Sequence, residues 1–150
     1  MADYDTDLLL WSERQTDLLR RMGAGERVND QVDWANVAEE IESLGISQKH
    51  QLRSRLGTIL LHLIKLQASP ATDPRPGWKQ TILRERVGIK KLIKDSPSLR
   101  PTVPALVDDE INDAVMLALA EMALYGEQPQ VDPAELTYTV EQVLGPWMPD

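Results

Sequence analysis

Cysteine and phenylalanine are both missing from this chain of 150 residues, and no lysine or arginine occurs after Arg100. Without cysteine there are no disulfides, no thiolate metal sites and no cysteine nucleophile, a pattern that suits a reducing compartment. Without phenylalanine the core has to be built from Leu, Ile, Val, Ala and Met, with Trp as the large anchor. Long apolar runs are lacking too. The most apolar stretch, 56–66, is interrupted by His62 and Lys65 and is too short to cross a bilayer. The opening MADYDTDLLLW is acidic and holds an apolar run of only 8–11, unlike the basic start and longer apolar segment of a secretory signal. A soluble cytoplasmic protein without membrane association is expected.

What is present is globular in composition, with 42% hydrophobic and 27% charged residues. At this length one domain is expected, able to bury roughly two-thirds of its unfolded surface. The net charge of -8 is unevenly spread. Residues 1–47 carry 4 basic and 11 acidic side chains, residues 48–100 carry 12 and 3, and residues 101–150 carry none and 10. Basic helices lying between acidic ones account for this more simply than a nucleic-acid surface does, since the charges complement one another within the chain.

Apolar spacing predicts a helix over 7–22, ended by Gly23-Ala24-Gly25, with Leu8, Trp11, Leu18 and Met22 on one face. A second is expected from the N-cap Asp33 to Leu44, with Trp34, Val37, Ala38, Ile41 and Leu44 as its stripe. Gly45 then stands where a left-handed C-cap would end it, and Ser47 could cap a third helix over 48–67. So short a connection predicts an αα-hairpin. The third helix is apolar on two sides, with a polar line of Gln51, Arg55, Thr58, His62, Lys65 and Ser69 between them. A Pro-rich loop leads to a helix over 78–94. Glu85 interrupts its apolar stripe, three residues after Ile82 and four before Ile89, so it should be paired or hydrogen-bonded. A fifth helix is expected over 103–125. Thr139 with Gln142 forms a capping box for a short sixth. The fold class is therefore all-α: a single-domain bundle of five main helices and a short C-terminal one, built on a central hairpin.

With these pieces placed, YDTDLLLW, AEEIESLG, LRSRL with HLIKLQ, GWKQTILRER, DSPSLR and YTVEQVL stand out in that order along the chain. In these motifs the sequence resembles the bacterial family known as domain of unknown function 29. The resemblance implies an all-helical domain with no established activity, and it supplies no catalytic residues.

Site readings rest on the residues themselves. A polar pocket between helices would draw on Arg55, His62, Glu85, Glu40 and Glu42. Glu85 and His62 could serve as an acid–base pair; the structural alternative is a pair of Glu85 with Arg55 or His62 that fixes helix packing. No nucleophile motif or phosphate loop accompanies them, and no catalytic residue is assigned. Glu40, Glu42, His62 and Glu85 are the best metal-ligand candidates, yet neither histidine follows a Glu by three positions. No metal or cofactor is expected. Lys79, Arg84, Arg86, Lys90, Lys91 and Lys94 form a candidate basic surface without the interleaved aromatics that stack on bases. Trp11, Trp34 and Trp78 fall on apolar stripes and are expected as core anchors. The leading functional expectation is a non-enzymatic helical module binding another protein. A ligand-binding protein or enzyme at His62 and Glu85 is the alternative, and nucleic-acid binding comes behind both. Self-association into a homo-oligomer stays open.

Overall fold

The computed structural model describes residues 4–150, and no strand occurs among them. Its α-helices are α1 (Leu8–Gly23), α2 (Trp34–Ala68), α3 (Arg75–Asp95), α4 (Val103–Leu124) and α5 (Val140–Leu144). Short 3-10 segments lie at Asn29–Gln31, Pro97–Thr102 and Pro133–Glu135. The all-α class is as expected from the sequence.

The hairpin is not. Residues 34 to 68 form one helix of 35 residues that runs straight through Gly45, and the left-handed glycines are Gly25 and Gly126 instead. The physical reason is cooperativity. An interior glycine costs a helix about 1 kcal/mol, whereas a break here would forfeit several backbone hydrogen bonds, and no proline intervenes to force one. Five main helices thus become four long ones.

The chain divides into two compact units, the first ending at Ser47 and the second beginning at Gln48, so the boundary falls within α2. In the first unit, Trp11, Leu18, Val28, Val32 and Val37 form a small core with Tyr4 and Met22 packed against it. Polar groups tie its pieces together. Asp33 accepts from the Trp11 indole N–H at 3.0 Å and from the Asn36 side chain at 2.8 Å, while the buried Gln15 accepts from the Asp33 backbone N–H. The Asn36 and Trp11 bonds hold the Asp33 carboxyl below its ordinary pKa. Of the stripe expected on 34–44, only Val37 is buried; Trp34, Ile41 and Leu44 are exposed. Their cover was to be the hairpin partner, and that segment instead continues the same helix.

In the second unit α2 is the central element. Leu52, Leu56, Ile59, Leu60, Leu63, Ile64 and Leu66 are all withdrawn from solvent, on both of the faces expected. Ile82, Ile89 and Leu92 of α3, Val103, Val107, Ala114, Ala118 and Met122 of α4, and Val143 of α5 complete the same core. Helix α3 starts at Arg75, a turn earlier than its apolar pattern indicates, because Pro76 is tolerated in the first turn. Thr139 and Gln142 form the capping box of α5.

Because Gly45 is helical and a Cβ there would meet no atom within 4 Å, Gly45→Ala should raise stability by up to about 1 kcal/mol. Thermal and urea melts followed by circular dichroism read this directly. A loss of stability would restore the left-handed turn that the helix replaces.

Candidate functional site

The polar line on α2 follows from its two apolar faces, since Arg55, His62 and Lys65 occupy the strip between them and must find partners locally. Each has one. Arg55 Nη1 meets Glu85 Oε2 on α3 at 3.1 Å, the pairing that the break in the α3 stripe demanded. Room for it comes from Gly88. A Cβ at that position would lie 2.3 Å from Arg55 Nη1, so the guanidinium rests directly on the α3 backbone one turn beyond Glu85. Both side chains are partly solvated, which places the pair among those contributing up to about 1 kcal/mol.

His62 is half-buried, and its Nδ1 lies 2.7 Å from the Thr58 carbonyl oxygen. Nδ1 is therefore the protonated nitrogen of the neutral ring, donating back along its own helix. Burial holds the pKa of His62 below its ordinary value. The Thr58 carbonyl opposes this, Lys65 adds to it, and the carboxylates of Glu121 and Glu85 push upward. His62 and Glu85 thus sense each other electrostatically, but each spends its hydrogen bond elsewhere.

One turn on, Lys65 Nζ meets Glu121 Oε2 of α4 at 2.7 Å and lies 4.7 Å from the centre of the Trp78 ring. These residues open onto a cavity of about 480 Å³ bordered also by Asp73, Met122, Tyr125 and Glu127. The cation is already neutralised, so this cavity offers an acidic rim over an apolar floor. Two of the polar-pocket residues expected from the sequence fall in a different compact unit from the other three. Glu40 and Glu42 belong to the first unit, where Glu40 accepts from the Tyr4 hydroxyl and Glu42 is exposed. The Glu40 bond pushes the Tyr4 pKa up to about 12. Among the described residues no group of three or more His, Asp or Glu could hold a metal ion.

The basic surface also needs correction. Arg84, Lys90, Lys91 and Lys94 are exposed and Lys79 is half-buried, but Arg86 is only 8% exposed and faces the core. It stands four residues after Ile82 and three before Ile89, on the buried stripe. Its Nε donates to the Val143 carbonyl at 2.9 Å, and its Nη2 donates to those of Gln142 and Trp147 at 2.8 and 2.7 Å. Nη1 is buried without a hydrogen-bond partner. Burial lowers the pKa of this guanidinium. The role of Arg86 is to clamp the segment around α5 onto α3, and no motif marks it. Only helical phase would have distinguished it from its solvated neighbours.

Helices built on a buried aliphatic axis, with paired charges along one strip, define an all-α helical bundle. The chain belongs to the family described as Domain of unknown function DUF29, whose model matches residues 4–148. No curated protein and no solved structure matches it.

Arg86→Met should cost about 3 kcal/mol or more, because three carbonyls, with the Val143 bond fully buried and the other two partly so, lose a charged donor; a drop in the urea midpoint worth under 1 kcal/mol would contradict the clamp. For His62 the sign follows from its lowered folded pKa. Between that value and the ordinary one near 6.5 the unfolded chain binds the proton more readily, so stability falls as pH drops through this window and levels off below it. Urea midpoints near pH 7.5 and pH 5.5 should therefore differ less in His62→Leu than in the parent chain, and an equal difference would exclude His62 as the source.

Proposed function

We propose that the chain is a non-enzymatic interaction module whose second unit docks a partner protein along the outward face of α4. The observation that carries this reading is the composition of that helix. From Ala114 to Ala120 it has no polar side chain, yet only Ala114 and Ala118 of these are buried. Met116 and Leu117 are 68% and 53% exposed, and Leu124 beyond them is 83% exposed. A helix apolar on all sides is ordinarily buried on all sides. A contiguous apolar strip left in water is the usual mark of a protein-binding surface.

Charge supports a particular kind of occupant. Asp113 lies on the same face as Met116 and Leu117, about one turn toward the helix start, and takes part in no ion pair found among the described residues, whereas Asp109 one turn further back lies 3.9 Å from Arg53. A second copy of α4, which contains no lysine or arginine, would bring no cation to Asp113. An amphipathic helix with an apolar stripe and lysines or arginines at one end satisfies both parts of the face. The alternative of an enzyme at His62 and Glu85 has less support, because both groups are engaged within the domain.

A synthetic amphipathic helix carrying leucines at i, i+3, i+4 and i+7 and a lysine-rich end is the direct probe. Micromolar binding that weakens with salt is expected, and Met116→Glu with Leu117→Glu should weaken it at least tenfold while leaving the melting temperature unchanged. Equal affinity of this double variant, or binding indifferent to reversing the peptide's charge, would refute the α4 face.

A further inference from the structure

We infer that the cleft between α3 and the segment following α5 is a binding site for a small amphiphilic carboxylate. The cleft has a volume of about 460 Å³, within the range of small-molecule sites. Three cations line it, Arg86, Lys90 and Arg100, and no carboxylate does. The cavity at Lys65 is the contrasting case, since its single cation is matched by Glu121 and outnumbered by acids. Neither Lys90 nor Arg100 takes part in an ion pair found among the described residues.

The second and independent observation is Arg86 itself. Of the five N–H donors of a guanidinium, three are used on tail carbonyls, and the two on Nη1 have no partner although the side chain is more than nine-tenths buried. A buried cation held with unspent donors beside a cleft leaves a surplus of positive charge that an anion would relieve. The remaining walls are apolar: Leu83, Val87, Ile89 and Ile93 from α3, with Leu144 and Pro146 opposite.

The two kinds of lining are arranged along the helix. Leu83, Val87 and Lys90 follow one another at i, i+4 and i+7, so a single face of α3 passes from apolar to cationic over about 10 Å. Arg100, in the 3-10 turn after α3, stands at the cationic end. A carboxylate at Lys90 and Arg100 with a medium-length acyl body lying toward Leu83 meets both. Leu83 and Val87 are each more than half exposed, which gives the acyl body apolar surface to cover.

Calorimetric titration of the full chain with octanoate tests this, with octan-1-ol, octylammonium and acetate as comparators. Octanoate is expected to bind with a dissociation constant below 1 mM and at least tenfold more tightly than each comparator. Lys90→Glu with Arg100→Glu, both exposed and outside the core, should weaken octanoate at least tenfold with an unchanged melting temperature. Leu83→Asn, which removes apolar surface without adding charge, should weaken it too, and this separates the apolar wall from a charge effect alone. Absence of octanoate binding, octanol or acetate binding equally well, or undiminished affinity in the double variant would overturn the assignment. None of these readouts involves the α4 face.

Discussion

Seven aliphatic side chains on the second half of α2 have to be kept out of water, and the rest of the larger unit is arranged to do so. Removing each from solvent contributes about 2 kcal/mol. Because these residues lie on two faces of one helix, a single partner cannot cover them. Helices α3, α4 and α5 all contribute to the same core. The position of every polar group on α2 follows from this demand.

Arg55, His62 and Lys65 occupy what two apolar faces leave over, and each is bound to the nearest available partner: a carboxylate on α3, a carbonyl of its own helix, a carboxylate on α4. Charge complementarity between the basic middle of the sequence and the acidic last third is thereby realised in specific pairs, Lys65 with Glu121 and Arg53 with Glu110 at 2.9 Å. Such pairs set how the helices lie against one another more than they add to stability. Spent on packing, they leave two surfaces with unbalanced demands: the apolar outer face of α4 and the cationic cleft beside Arg86. Both functional proposals arise where the domain does not satisfy itself.

Much of this was legible in the residues. The apolar periodicity of α1, α3 and α4, the capping box at Thr139 and the need of Glu85 for a partner all depend on interactions within a few turns or on one misplaced charge. What escaped sequence reasoning depended on comparing energies. Gly45, followed by Ile46 and Ser47, has the chemistry of a helix end, but continuing the helix costs less than ending it, and that balance is invisible in a motif. Arg86 was hidden differently. Glu85 and Arg86 interrupt the same stripe at adjacent positions, and composition alone does not say which of the two charges is buried. The acid turned out half-buried and paired, whereas the arginine is the buried charge.

The way Arg86 holds the end of the chain has an evolutionary consequence. It grips carbonyl oxygens, which every amino acid possesses, and not side chains. The clamp's own bonds therefore do not depend on the side chains at 142 and 147, which serve separately in the α5 capping box and in packing against the core. Gly145 is the exception. A Cβ there would sit 2.6 Å from the Glu141 carbonyl oxygen, so this position answers to the backbone that Arg86 keeps in place. Among relatives that retain the clamp, an arginine and a glycine 59 positions apart should be lost or kept together.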